Sequence, residues 1–284
     1  MRTIVTGGAG FVGSHLVDRL INEGHHVTII DNLSTGKSRN LNPHAVFYLE
    51  DIRDYDKIEN LFQDVDIVFH LAALARIQPS LINPRNTIDV NVCGTLNVLE
   101  LARQNNCQVI YSGSSSFHHG LYKSPYAWSK YGGEELCKMY SEVYNMNTSI
   151  CRFYNVYGKR HLQEGTYATI LGIFEKQTQE RQPLTITGNG EQRRDFTHVN
   201  DIVNGLFACV NKEFKAEIFE LGRGINFSIN EIANMFGGEK KYIPARKGEY
   251  DRTLCDYSKA KLTLDWQPKK DVEQYTKKWL EDQK

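Results

Sequence analysis

Tyr126 and Lys130 are the residues whose chemistry is easiest to predict from this sequence. They stand four residues apart in Pro125-Tyr126-Ala127-Trp128-Ser129-Lys130, at the start of a predicted helix, so both side chains share one face. A phenol titrates at about pH 10, but a neighbouring ammonium favours the phenolate and lowers the pKa. We therefore expect Tyr126 to act as a base that removes a hydroxyl proton, with Lys130 as its activator.

A run of serines precedes this pair at the end of a predicted strand, in Tyr111-Ser112-Gly113-Ser114-Ser115-Ser116. Ligands of open α/β sheets bind at the carboxyl ends of the strands. A serine hydroxyl there could orient a reacting oxygen toward Tyr126, and the alternative is a flexible serine-rich turn.

A glycine loop follows the first predicted strand and opens the first helix, in Thr6-Gly7-Gly8-Ala9-Gly10-Phe11-Val12-Gly13. Glycines at positions 7, 10 and 13 permit a tight turn and the close approach of a pyrophosphate to a helix N-terminus. Asp31 ends the second strand and suits the ribose hydroxyls of an adenosine. Because a carboxylate repels a 2′-phosphate, the pattern favours NAD over NADP. We expect the oxidised nicotinamide to help Lys130 lower the pKa of Tyr126.

Short β-branched runs alternate with helical patterns along the first half of the chain. We predict strands at 2–6, 26–31, 45–49, 67–71, 108–112 and 148–153, and helices near 11–23, 54–63, 85–105 and 125–146. This alternation predicts an α/β fold, a Rossmann-like doubly wound parallel sheet covered by helices on both faces.

The pattern changes after about Gly158, where elements become shorter and Gly, Pro and charged residues more frequent. We predict an NAD-binding Rossmann domain at 1–157, to which 193–223 returns. Residues 158–192 and 224–284 then form a smaller C-terminal substrate-binding lobe.

The amino-acid composition limits the kinds of molecule that this protein is expected to bind. The 284 residues carry 34 basic and 34 acidic side chains, and this balance argues against a nucleic-acid or anionic-membrane surface. The six cysteines show neither a CxxC pair nor metal-ligand spacing, so no metal site is expected. With no signal peptide and no membrane-spanning run, we expect a cytoplasmic protein.

Taken together, these motifs resemble the extended short-chain dehydrogenase/reductase family, especially its UDP-glucose 4-epimerase-like nucleotide-sugar epimerases. The resemblance covers nearly the whole chain. Besides the glycine loop and the Tyr126/Lys130 pair, it rests on Asp31–Gly36, Asp51–Asp54, His70–Ala73, Asn91–Val98, Arg152–Gly158, Gly188–Phe196 and Arg246–Glu249.

The resemblance implies roles for individual residues. Ser114 joins Tyr126 and Lys130 in catalysis. The residues implied for NAD are Gly7, Gly10, Phe11, Val12, Gly13, Asp31, Asn32, Ser34, Thr35, Gly36, Asp51, Ile52, Leu71, Ala72, Ala73, Asn91, Ser112, Tyr126, Lys130 and Tyr154. Those implied for the nucleotide-sugar substrate are Ser114, Ser116, Asn155, Arg194, Arg246 and Glu249.

The chain departs from the family between the serines and Tyr126. Only residues 117–124 connect them, whereas family members usually carry a longer loop, often with Tyr-Gly where this chain has His118-His119. Either histidine could face the sugar, although loop histidines are commonly solvated.

The resemblance implies epimerisation, most simply at carbon 4 through a transient 4-keto sugar. Related 4,6-dehydratases usually place Asp-Glu where this chain has Ser115 and Ser116. The alternatives are a nucleotide-sugar 4-dehydrogenase or ketoreductase with net nicotinamide turnover, and a non-catalytic dinucleotide sensor. By analogy with the family, we expect a homodimer through the helices 85–105 and 125–146.

Overall fold

A seven-stranded parallel sheet forms the centre of the protein, in the order β3-β2-β1-β4-β5-β6-β11. The structure is a computed structural model that describes residues 1–283, apart from the side chain of His119. The strands of this sheet are β1 Arg2–Thr6, β2 His26–Ile30, β3 Val46–Tyr48, β4 Ile67–His70, β5 Gln108–Ser114, β6 Thr148–Phe153 and β11 Lys215–Leu221. This strand order confirms the predicted Rossmann-like fold.

Helices cover both faces of the sheet. Successive residues of a strand point to opposite faces, so each strand contributes side chains to both buried clusters. In β1, Ile4 belongs to one buried cluster and Val5 to the other. The first cluster includes residues of α5 and α7, and the second includes residues of α1, α9 and α11. Their bounds are α1 Phe11–Asn22, α5 Gly94–Gln104, α7 Pro125–Tyr144, α9 Val199–Phe207 and α11 Ser258–Leu264.

Several predicted helices are more broken than their apolar spacing suggested. The segment 54–63 is α2 Tyr55–Ile58 followed by a 3-10 turn, and 85–105 is α4 Pro84–Ile88, a π-helical turn at Asp89–Cys93, and α5. α3 Ile77–Ile82 precedes α4. The serine-rich connection contains a short helix, α6 Ser116–Gly120, so it is not wholly a loop.

A smaller lobe has its own apolar core, in which Leu171, Phe174, Leu184, Ile232 and Phe236 are buried. Two parallel strands, β8 and β13, and the helices α8, α10 and α12 surround this core. Two small strand pairs, β7 with β10 and β9 with β12, complete the sheets. The remaining bounds are β7 Val156–Tyr157, α8 Ile170–Gln179, β8 Leu184–Thr187, β9 Arg193–Asp195, β10 Thr197–His198, β12 Asn226–Ser228, α10 Ile229–Phe236, β13 Lys240–Ile243 and α12 Val272–Glu281.

One part of the segment assigned to the lobe packs elsewhere. Ala260, Leu264 and Trp266 are buried in the cluster that contains α1, and the Trp266 indole donates to the Asp201 carbonyl at 2.8 Å. Residues 224–284 therefore do not all belong to the lobe. Within residues 1–283, no helix has both the length and the apolar character needed to cross a membrane.

His70 connects three elements beneath the edge of the sheet where the strands end. Its Nδ1 lies 2.7 Å from the Thr6 hydroxyl of β1, and its Nε2 lies 2.9 Å from the Thr95 hydroxyl of α5. Burial, together with the charge of Lys130, lowers the pKa of His70 to about 3. The neutral imidazole is thus the form that stabilises the fold.

This pKa predicts a pH-dependent stability. Below pH 6.5 the unfolded chain protonates His70 while the folded protein does not, so stability falls as the pH falls. His70 should account for about 2 kcal/mol of the loss between pH 7 and pH 5. Urea unfolding of His70→Gln should show a correspondingly smaller loss over this range. Exposed His44→Gln is the control, and the same pH dependence in both variants would contradict the assignment.

Candidate active site

A cavity of about 510 Å³ lies at the carboxyl ends of β1, β2, β4 and β5, and the lobe closes its other side. Gly7 and Ser112 line it from the sheet, and Arg194 and Tyr250 line it from the opposite side. The cavity thus brings together residues that are far apart in sequence.

The glycine loop forms a tight turn that only glycine allows at two positions. Gly7 has φ +73°, and an added Cβ there would lie 2.8 Å from the Ala72 nitrogen. A Cβ on Gly13 would lie 2.2 Å from the Gly7 carbonyl oxygen. At the N-terminus of α1, Gly10 provides no side chain to cap the first N–H groups. These donors and the helix dipole fit a pyrophosphate.

Asp31 lies buried at the end of β2, and the main chain positions its carboxylate. Oδ2 accepts from the Ala9 N–H at 3.0 Å and Oδ1 from the Leu33 N–H at 2.8 Å. Burial raises its pKa, and these two N–H donors oppose the rise. Each oxygen keeps a lone pair that could accept from a ribose hydroxyl.

Asp51 and Ile52 line the cavity together with Asp31. The Asn32 amide donates to Asp51 at 2.7 Å. Hydrogen bonds from Arg53 lower the pKa of Asp51 to about 2, so its carboxylate is ionised. Ile52 is buried and packs against the start of α5, because a Cβ on Gly94 would lie 2.6 Å from its Cδ1.

Tyr126 and Ser114 meet where α7 begins and β5 ends. The Ser124 hydroxyl accepts from the Ala127 N–H at 3.1 Å, which caps α7 and fixes its first turn. The Tyr126 hydroxyl donates to Ser114 Oγ at 3.2 Å, and Ser116 Oγ donates to the same atom at 2.9 Å. Ser114 is therefore within hydrogen-bonding distance of the phenol.

Lys130 follows Tyr126 by one turn of α7 and is buried. Its ammonium nitrogen is 4.2 Å from the centroid of the Tyr111 ring. Burial lowers the pKa of Lys130 to about 8, and the charge of Glu134 opposes the fall.

We expected Lys130 and an oxidised nicotinamide together to lower the pKa of Tyr126, whereas the protein's own groups raise it. Burial raises it, the Ser114 hydroxyl and the charge of Arg76 lower it, and Glu134 raises it. The cost of burying a phenolate outweighs the stabilisation from the nearby cation. Tyr126 is thus a neutral phenol here, and further positive charge in the cavity would favour its ionisation.

A buried ion network supports α7 from behind. Arg152 of β6 contacts Glu134 at 2.6 Å and Glu220 of β11 at 3.0 Å. Nε2 of His118 also lies 2.6 Å from Glu220. His118 therefore faces this network and does not line the cavity, while the His119 side chain lies outside the described residues.

The residues predicted to bind the substrate line the other side of the cavity. Arg194 of β9 is largely buried, and its Nη2 lies 3.7 Å from Glu249. Burial lowers the pKa of Arg194, and Glu249 opposes this effect. The Asn155 amide donates to the Asp195 carbonyl at 3.0 Å, and Arg246 is exposed at the rim.

Three predicted cofactor residues do not line the cavity. Tyr154 is buried, and its hydroxyl donates to Glu220 at 3.0 Å. Asn91 holds the main chain of Leu74 through two hydrogen bonds and supports the loop after β4 from below. Gly36 lies behind Asp31, since a Cβ there would be 2.9 Å from Oδ1. All other predicted site residues line the cavity.

The structure also adds residues that sequence patterns did not identify, among them Arg76, Tyr167 and Tyr250. Tyr250 is buried, and burial raises its pKa to about 12 while hydrogen bonds to Ser124 and Ser116 lower it. Arg76 follows a predicted strand by only a few residues, and this position at a strand end was the available signal.

Comparison with known proteins agrees with this geometry. Residues 3–222 match the model of the family described as NAD dependent epimerase/dehydratase family. The chain belongs to this family. NAD is accordingly its cofactor, and the glycine loop and Asp31 fit that molecule.

Two curated members of the family are similar over nearly the whole chain. A putative UDP-glucose 4-epimerase of Methanocaldococcus jannaschii is 37% identical, with 98% of each chain covered. UDP-glucuronic acid decarboxylase 1 of Xenopus tropicalis is 31% identical, with 94% of this chain and 68% of the relative covered. The family therefore includes more than one reaction.

Solved structures of family members share the fold. UDP-glucose 4-epimerase of Thermotoga maritima with UDP-glucose superposes with a TM-score of 0.94, at 32% identity and 99% coverage of both chains. UDP-glucuronic acid 4-epimerase of Bacillus cereus, in complex with UDP-glucuronic acid and NAD, gives 0.90 at 29% identity and 99% coverage of both.

The glycine loop generates a prediction about the cofactor. In Gly13→Ala the new methyl group collides with the Gly7 carbonyl, so NAD should bind about 10-fold or more weakly. Fluorescence titration of the protein with NADH measures this. Gly132→Ala on α7 is the control, because its Cβ would lie 3.3 Å from a Val92 methyl group. Equal affinities in the two variants would contradict the placement of the pyrophosphate.

Proposed function

We propose that this protein is an NAD-dependent epimerase that inverts carbon 4 of a nucleoside-diphosphate sugar. The observation that carries the proposal is the 3.2 Å contact between Tyr126 and Ser114, in one cavity with the glycine loop and Arg194. Proton-transfer groups, a dinucleotide site and a guanidinium for phosphates are the parts that such a reaction needs.

The chain would hold the two ligands at opposite ends of the cavity. The glycine loop and Asp31 bind the dinucleotide, and Arg194 and Arg246 bind the diphosphate of the sugar. A planar guanidinium matches phosphate oxygens through paired hydrogen bonds. The sugar ring then lies between them, beside Tyr126.

In the reaction, Ser114 accepts or donates a hydrogen bond at the 4-hydroxyl and aligns it with Tyr126. NAD held by the glycine loop and Asp31 would supply a reversible hydride acceptor for carbon 4 and a positive charge that favours the phenolate. Tyr126 takes the hydroxyl proton as the sugar is oxidised and gives it back as the inverted alcohol forms. Lys130 and Arg76 supply the other nearby positive charges.

The distribution of carboxylates supports simple oxidation and reduction over dehydration. In the described part of the chain, the carboxylates that line the cavity are Asp31, Glu50, Asp51 and Glu249. Glu249 is 3.7 Å from Arg194, and Asp31 and Asp51 belong to the proposed adenosine end. Ser115 and Ser116 follow Ser114, so no acidic side chain comes next to assist the loss of water.

Replacing the phenol tests the proposal. Tyr126→Phe should lower kcat for epimerisation of UDP-sugars by about 10²- to 10⁴-fold, because the proton acceptor is lost. Tyr122→Phe is the matched control, since Tyr122 is 87% exposed. The assay separates the 4-epimers by chromatography and follows absorbance at 340 nm. Unchanged conversion in Tyr126→Phe, or stoichiometric formation of NADH by the wild type, would contradict the epimerase assignment.

A further inference from the structure

Ser116 stands at the start of the short helix α6 and is buried in the wall of the cavity, with 3% of its surface exposed. It contacts Ser114 twice: its Oγ–H donates to Ser114 Oγ at 2.9 Å, and its main-chain N–H donates to the same atom at 3.2 Å. The Tyr126 hydroxyl also donates to that oxygen, at 3.2 Å. Three donors therefore converge on one hydroxyl oxygen.

The donors around Ser114 restrict what its own hydroxyl can do. A serine hydroxyl has one proton to donate and two lone pairs that accept. When Tyr126 has given up its proton it no longer donates to Ser114, and the two donors of Ser116 then match the two lone pairs. The hydrogen bond left for Ser114 to make is the one that it donates, toward the phenolate or toward a sugar oxygen.

Contacts on two sides hold the α6 turn that carries Ser116. The ring of Phe117 lies over the guanidinium of buried Arg152, with 3.8 Å between Cζ and the ring centroid. On the other side, a Cβ on Gly120 would lie 2.9 Å from Cε1 of Tyr250, so the segment after β13 packs closely against α6. Ser116 therefore has little freedom to move away from Ser114.

We propose that Ser116 is a positioning residue, which holds the Ser114 hydroxyl as a hydrogen-bond donor toward the sugar oxygen at the reacting carbon. The inference rests on the proposed function for the identity of that oxygen, and it adds a residue that acts through Ser114. The oxygen is a hydroxyl before oxidation and a ketone after it, and it accepts a hydrogen bond in both states. A fixed donor thus serves both halves of the reaction, whereas an acceptor would serve only the alcohol.

Removing the Ser116 hydroxyl tests the inference. In Ser116→Ala the shorter contact to Ser114 is lost, so kcat for epimerisation of UDP-sugars should fall about 10-fold while KM stays within about twofold of the wild type. Ser116→Thr keeps the hydroxyl and should restore most of the rate. Ser149→Ala is the matched control, because Ser149 is fully buried in β6 and its hydroxyl has no partner within residues 1–283.

A double-mutant cycle shows whether Ser116 acts through Ser114. In the background of Ser114→Ala, the further change Ser116→Ala should alter kcat by less than about twofold, because the group that Ser116 positions is already gone. A full loss in that background would overturn the proposal, since a general disturbance of the cavity adds to the loss of Ser114. An unchanged kcat in Ser116→Ala alone would overturn it as well.

The outcomes separate this inference from the proposed function. If the wild type forms 4-epimers and Ser116→Ala forms them at the same rate, the proposed function stands and the role of Ser116 is wrong. If the wild type converts no UDP-sugar, the proposed function is wrong, and titration of Tyr126 in the NAD-loaded protein tests Ser116 without turnover.

Ultraviolet difference spectra between the protein and Tyr126→Phe report the phenolate in that titration. Because Ser116 polarises the Ser114 hydroxyl, Ser116→Ala should weaken the hydrogen bond to the phenolate and raise the pKa of Tyr126 by about half a unit. Ser149→Ala should leave this pKa unchanged. The same pKa in Ser116→Ala as in the wild type would overturn the role of Ser116.

Discussion

The direction of the strands is the constraint on which this structure depends. All strands of the large sheet run parallel, so their carboxyl ends meet at one edge, and the helices that connect them cover both faces. Gly7 after β1, Asp31 after β2 and Ser114 at the end of β5 are thereby brought to one cavity. Their proximity follows from topology, since none of them is close to another in sequence.

Buried polar groups then fix the details that topology leaves open. His70 holds β1, β4 and α5 in register through two threonine hydroxyls. Behind α7, the Arg152–Glu134 pair ties that helix to β6. Removing one partner of a buried pair leaves an uncompensated charge, so such contacts specify a single arrangement of the helix that carries Tyr126 and Lys130.

Residue patterns predicted the sheet well because parallel strands and amphipathic helices have strong, local periodicities. The glycine loop, Asp31 and Tyr126 were recognisable for the same reason, as each lies next to a predicted element at a fixed spacing. Only the family resemblance distinguished Ser114 from the neighbouring serines. Spacing shows which groups are close but not how deeply they are buried, and burial within the protein raises the pKa of Tyr126. Arg76 and Tyr250 were missed because their role depends on loops that meet only in three dimensions.

The chain passes more than once between the large domain and the lobe, and this has a consequence for ligand exchange. The core of the lobe draws on α8 and α10, whereas the later residues Leu264 and Trp266 return to the large domain before α12 joins the lobe. Several chain connections therefore join the lobe to the large domain, and a rotation of the lobe about one connection would strain the others. This geometry favours opening by local movement of the rim segments, and it suits a cofactor that stays in place while sugars come and go.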